Sequence, residues 1–71
     1  MKYLIVNSDG DETFYNIADI DKIVCDYAQN LFSDADLRKN DLKPLEMLTV
    51  VYFKDGSTAT YHTAGLEIGF D

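Results

Sequence analysis

The apolar positions fall into a few clearly separated runs. Tyr3-Leu4-Ile5-Val6 is a β-branched and aromatic run that predicts a strand. Asp9-Gly10 follows, and Asp-Gly supplies the positive φ angles of a tight hairpin turn. Glu12 to Tyr15 then returns as a second strand. A two-residue loop sets Val6 opposite Thr13, Ile5 opposite Phe14 and Leu4 opposite Tyr15. Next, Ile17, Ile20, Ile23, Val24, Tyr27, Ala28 and Leu31 recur at spacings of three and four, with Asp19, Lys22, Asp26, Gln29 and Ser33 opposite. That stripe predicts an amphipathic helix over residues 17–32, capped by Asn16.

Residues 33–44 are polar. Ser33 caps a further short helical turn reaching Asn40, and Pro44 marks the loop before the next strand. Leu48 to Lys54 is a strong strand signal, Asp55-Gly56 a second hairpin turn, and Ser57 to Thr63 its return. A two-residue loop here pairs Tyr52 with Ala59, Val51 with Thr60 and Val50 with Tyr61. Leu48, Val50, Tyr52, Ala59 and Tyr61 then form the greasier face, assigned to the helix. Thr49, Val51, Phe53, Thr58, Thr60 and His62 form the other. The tail alternates at Leu66, Ile68 and Phe70 and predicts a further edge strand. The expected fold is α+β: residues 1–71 as one small domain, ββαββ with a C-terminal β, one antiparallel sheet of two hairpins under one amphipathic helix.

Seventy-one residues bury only about 60% of the surface their unfolded chain exposes. The 46% apolar content, with five tyrosines and four phenylalanines, nonetheless suits a folded domain. The lone Cys25 cannot close an internal disulfide, which points to a cytoplasmic setting. The apolar run in Met1–Val6 is too short for a signal peptide. No stretch approaches the ~20 apolar residues of a membrane span.

Catalytic chemistry finds little foothold. Asn7-Ser8-Asp9-Gly10-Asp11-Glu12 superficially resembles a calcium loop, but glycine falls at position 4 instead of 6, and position 12 is Ala18. One cysteine and one histidine cannot make a structural zinc site. Cys25 lies beside Asp26, which raises a thiol pKa, and His62, a lone histidine on the more polar sheet face, reads as a solvated or hydrogen-bonded side chain. Ser8, Ser33 and Ser57 occupy turn or cap positions. The four glycines, at 10, 56, 65 and 69, form no phosphate loop. The expectation is a non-enzyme with no metal and no cofactor.

Charge is what stands out. Thirteen acids against six bases give a net charge of −7, which argues against direct nucleic-acid or membrane binding. Residues 1–36 hold eight of the acids and two lysines, a balance of −6; residues 37–71 hold five acids and four bases, a balance of −1. On the expected fold Asp9, Asp11, Glu12, Asp19, Asp21, Asp26, Asp34 and Asp36 form rows of carboxylates on a rigid body. They are the candidate partner-binding residues. Such an array competes for the Lys- and Arg-lined grooves that hold phosphates. The expected function is a protein-binding inhibitor or modulator of a nuclease or other nucleic-acid-binding protein. In size, acidity and lack of catalytic groups the chain resembles anti-CRISPR and anti-restriction inhibitors, a resemblance of character that no motif carries. Tyr3, Phe14, Tyr15, Phe32, Phe53 and Phe70 are too many large groups for one helix to cover, so some are expected to stay exposed as contact anchors. The alternative is a structural or accessory module that forms a homodimer through the sheet's second face, with Val51 and Phe53.

Overall fold

A computed structural model describes residues 2–71. The two hairpins do not share the one expected sheet: two three-stranded antiparallel sheets pack against one another, and two short helices cover the outer side of one of them. The first sheet has the order β2-β1-β6: β2 (Asp11–Asn16), β1 (Tyr3–Ser8) and β6 (Leu66–Phe70). The second has the order β3-β4-β5: β3 (Ile20–Tyr27), β4 (Met47–Phe53) and β5 (Thr58–His62). A single 3-10 turn, Ile17–Asp19, carries the chain from one sheet to the other.

The first hairpin has the expected register, with Leu4 opposite Tyr15, Ile5 opposite Phe14 and Val6 opposite Thr13. Asp9 (φ 52°) and Gly10 (φ 87°) both take the left-handed conformation, as a two-residue turn requires. The tail strand also forms. It joins β1, so that Val6 faces Ile68 and Leu4 faces Phe70.

The long helix does not form. Asn16 does cap a turn, its side chain accepting from the Ala18 N–H at 3.0 Å, but the turn ends after Asp19. Residues 20–27 are a strand, and helix resumes only over Ala28–Leu31 (α1). Ile20, Ile23 and Val24 are β-branched, a type that loses rotamer freedom in a helix and packs well on a sheet. The same residues also alternate. Ile23, Cys25 and Tyr27 face one side, and Val24 and Asp26 the other, so the segment satisfies period two as well as 3.6. A register shift between Ile20 and Lys22 leaves Asp21 as the bulged residue.

The second hairpin is one residue out of the expected register. Val51 pairs with Ala59, Val50 with Thr60 and Thr49 with Tyr61. Its loop holds three residues, Lys54-Asp55-Gly56, and only Gly56 is left-handed (φ 90°). A one-residue shift exchanges faces. Thr49, Val51, Phe53, Ala59 and Tyr61 therefore share one side, and Leu48, Val50 and Tyr52 the other.

Each side finds its own cover. Val51 joins Leu4 and Val6 in an inter-sheet core, flanked by Tyr15, Ile17, Ile20, Phe53, Ala59, Tyr61 and Leu66. Val51 is wholly buried by the chain's own first sheet, so the face expected to meet a second copy is already covered. Leu48 packs with Ala28 and Leu37, beside Leu31, Phe32 and Leu42, under the helices. Strand β4 is thus buried on both faces, which accounts for the unbroken run Leu48-Thr49-Val50-Val51. The second helix, α2 (Asp34–Lys39), lies where expected: the Ser33 side chain accepts from the Asp36 N–H at 3.3 Å, and Asn40 is the C-cap. Asp41 (φ 54°) takes the left-handed position beyond it, and the Leu42 N–H reaches the Leu37 carbonyl at 2.8 Å. Among the described residues no helix is long and apolar enough to cross a membrane.

Candidate functional site

The eight carboxylates sit on rigid elements of several kinds. Asp9 is at the tip of the first hairpin, and Asp11 and Glu12 begin β2. Glu12 faces Asn7, which faces Glu67 across β1, so two acids share the outer face of the first sheet. Asp19 ends the 3-10 turn and Asp21 is the bulge of β3. Asp26 lies near the end of β3, and Asp34 and Asp36 form the first turn of α2. Asp19 and Asp26 do not share one face of a helix, because that helix is a strand. The carboxylates therefore belong to both sheets and to the helical layer.

Among the described residues no lysine or arginine forms an ion pair with these carboxylates, and Glu46 contacts His62 Nδ1 at 2.9 Å, an ion pair only when the imidazole is protonated. Lys22, the only base in the stretch 9–36, lies instead over the Tyr52 ring, its Nζ 4.9 Å from the centroid. Seven of the eight carboxylate residues are exposed, and Asp26 is half-buried. The Asp26 carboxylate accepts from the Asn30 side chain at 3.0 Å and from the Tyr27 N–H at 2.7 Å; these bonds hold its pKa below the ordinary value.

The reactive side chains have structural partners. Cys25 lies exposed on β3 with its Sγ 3.7 Å from the Thr63 hydroxyl, which in turn contacts the Thr49 hydroxyl at 2.9 Å. Among the described residues no three His, Cys, Asp or Glu side chains gather in a way that could hold a metal ion.

A cleft of about 620 Å³ opens where β2, the corner after it and the β4–β5 turn meet. Phe14, Tyr15, Asn16, Asp19, Phe53, Lys54, Asp55 and Ser57 line it. The Lys54 N–H donates to the Asp19 carbonyl at 2.9 Å and ties the corner to the turn. The Tyr15 and Phe53 rings pack with centroids 5.2 Å apart, and the Tyr15 hydroxyl bonds the Tyr61 hydroxyl. Burial, and then that hydroxyl partner, push the Tyr15 pKa up to about 12. The Asp55 carboxylate accepts from the Ser57 hydroxyl at 2.6 Å and its N–H at 2.8 Å, which lowers its pKa. Asp19 is the one candidate carboxylate in this cleft, which also takes Phe14, Tyr15 and Phe53 from the aromatics expected as anchors. Asp55 reads in the sequence only as a turn residue. The cleft exists because the 3-10 corner brings segments almost forty residues apart together.

Of the six aromatics expected to supply contact anchors, Tyr3, Phe14 and Phe70 are exposed, while Tyr15, Phe32 and Phe53 are half-buried. No protein-family model matches the chain, and comparison with curated proteins and with solved structures returns no match.

Proposed function

We propose that the chain is a non-enzymatic binding protein that presents its carboxylates to a basic groove on a nucleic-acid-handling protein, as an inhibitor or modulator. The observation that supports this reading is the uncompensated charge. The acids sit on strands, a bulge and a capped helix, and their only base in the sequence stretch 9–36 is engaged on Tyr52. Fixed carboxylates cost less entropy to dock than a floppy acidic tail, and opposite fields speed the encounter. The setting proposed is cytoplasmic, in line with the single free cysteine. Affinity capture from the native host, followed by titration of the captured partner at rising salt, tests the reading. The expected partner has a basic groove, binds more weakly as salt rises, and is released by competing nucleic acid. A partner without such a groove, or an affinity indifferent to salt, defeats it.

A second reading is favoured by strand β6. Ile68 and Phe70 are 41% and 57% exposed on an edge strand, which suits pairing with a second copy. Sedimentation that shows only monomer at high concentration removes it.

A further inference from the structure

The cleft between β2 and the β4–β5 turn has a chemistry of its own. We propose that it receives a guanidinium side chain, an arginine of the protein partner, between its aromatic wall and the carboxylates of Asp19 and Asp55. The inference rests on the binding function proposed above and names where on the surface the partner is anchored.

Three observations converge. First, the lining combines three aromatic residues with two acidic ones, and Lys54 is the only base among them. Two acids against one lysine leave the lining net negative, which disfavours an anion. Second, one wall is already fixed. The Tyr15 ring is held against Phe53 and tethered through its hydroxyl to Tyr61, while Phe14 is 53% exposed with its ring tilted against Tyr3 on the outer face of β2. Third, the Asp55 carboxylate is held in place by Ser57 and stays ionised, while the Lys54 N–H fixes the backbone of Asp19 through its carbonyl. A guanidinium is planar, stacks on ring faces and offers a fork of donors to carboxylates. An ammonium is a compact, strongly hydrated charge that stacks poorly. A volume of about 620 Å³ also leaves room for the backbone that delivers the side chain.

The test is an amide-resolved NMR titration of the whole chain with N-acetylargininamide and, separately, N-acetyllysinamide. Saturable shifts are expected at Phe14–Asn16, Asp19 and Phe53–Ser57, with the arginine probe bound about two- to fivefold more tightly than the lysine probe. Asp19→Asn, Asp55→Asn and Phe14→Ala should each weaken it by a similar factor. Asparagine at 55 still accepts from Ser57, and Phe14 is largely exposed, so folded spectra are expected for all three. Lys54→Gln should strengthen binding. Absence of saturable shifts, equal shifts around Asp9, Asp34 and Asp36, equal affinity for the two probes, or indifference to the three variants overturns the proposal. The captured partner separates this failure from that of the broader reading. If the three variants bind it as the parent does, with the same salt dependence, the cleft is not the anchor while the acidic-surface function stands. If the probe fills the cleft but the partner has no basic groove, the function fails and the cleft remains a guanidinium site.

Discussion

Two Asp-Gly turns close the two hairpins, and they close them differently. Asp9-Gly10 is the whole loop between Ser8 and Asp11, with both residues left-handed. Asp55-Gly56 shares its loop with Lys54: the Gly56 N–H donates to the Phe53 carbonyl at 3.0 Å, and only the glycine is left-handed. That is a turn followed by a left-handed glycine, the usual three-residue closure. In the second loop the aspartate uses its side chain, bonding Ser57; in the first it uses its tolerance of positive φ. The one extra residue decides which side chains of β5 meet those of β4. The same dipeptide therefore signals that a hairpin forms, and its neighbours settle the register.

The largest effect should come where the two hairpins bury each other. Leu4→Ala is expected to cost about 2–5 kcal/mol of stability in denaturant unfolding, because Leu4 is wholly buried in the inter-sheet core. A cost under about 1 kcal/mol would mean that the sheets do not rely on each other. A smaller effect separates the turns. Asp9→Ala should cost about 1–2 kcal/mol by forcing alanine into a left-handed conformation, whereas Asp55→Ala keeps an ordinary backbone and loses only the cap to Ser57. The Asp55 cap depends on pH in a definite sense. Its folded pKa is lowered, so its stabilisation is present above the unfolded pKa and fades as pH falls through the folded one. The gap between parent and Asp55→Ala should close in acid, and equal gaps at neutral and acid pH would show that the carboxylate is not the cap. The smallest effect lies at the contact between the hairpins. Tyr15 rises from an ordinary 10.0 to about 12, so its contribution is full below pH 10 and fades as pH climbs towards 12. Tyr15→Phe should flatten that alkaline decline in thermal unfolding, and an unchanged slope would assign the decline elsewhere.

Much of the architecture is legible along the chain. The positions of both turns, the register of β1 with β2, the Ser33 cap, the loop at Pro44 and the tail strand all follow from local backbone chemistry. The segment 17–32 misleads because its apolar residues satisfy two periods at once. A β-branched Ile-x-x-Ile-Val stripe draws a helical face on paper, yet it also fits a strand once β4 offers unpaired backbone groups beside it. The candidate site divides in the same way. The excess of acid is plain in the sequence, but Phe14, Asp19 and Asp55 become neighbours only when the corner at Ile17–Asp19 folds.

The sequence by itself determined the turns, the caps, the strand-forming runs and the negative charge, because each depends on a few adjacent residues. Tertiary structure alone decided that residues 20–27 join β4 and that the face carrying Val51 is covered by the first sheet. It also decided that aromatic rings and carboxylates meet in one cleft. Those outcomes depend on which distant surface is available to bury a side chain or to satisfy a backbone N–H, and no local pattern carries that information.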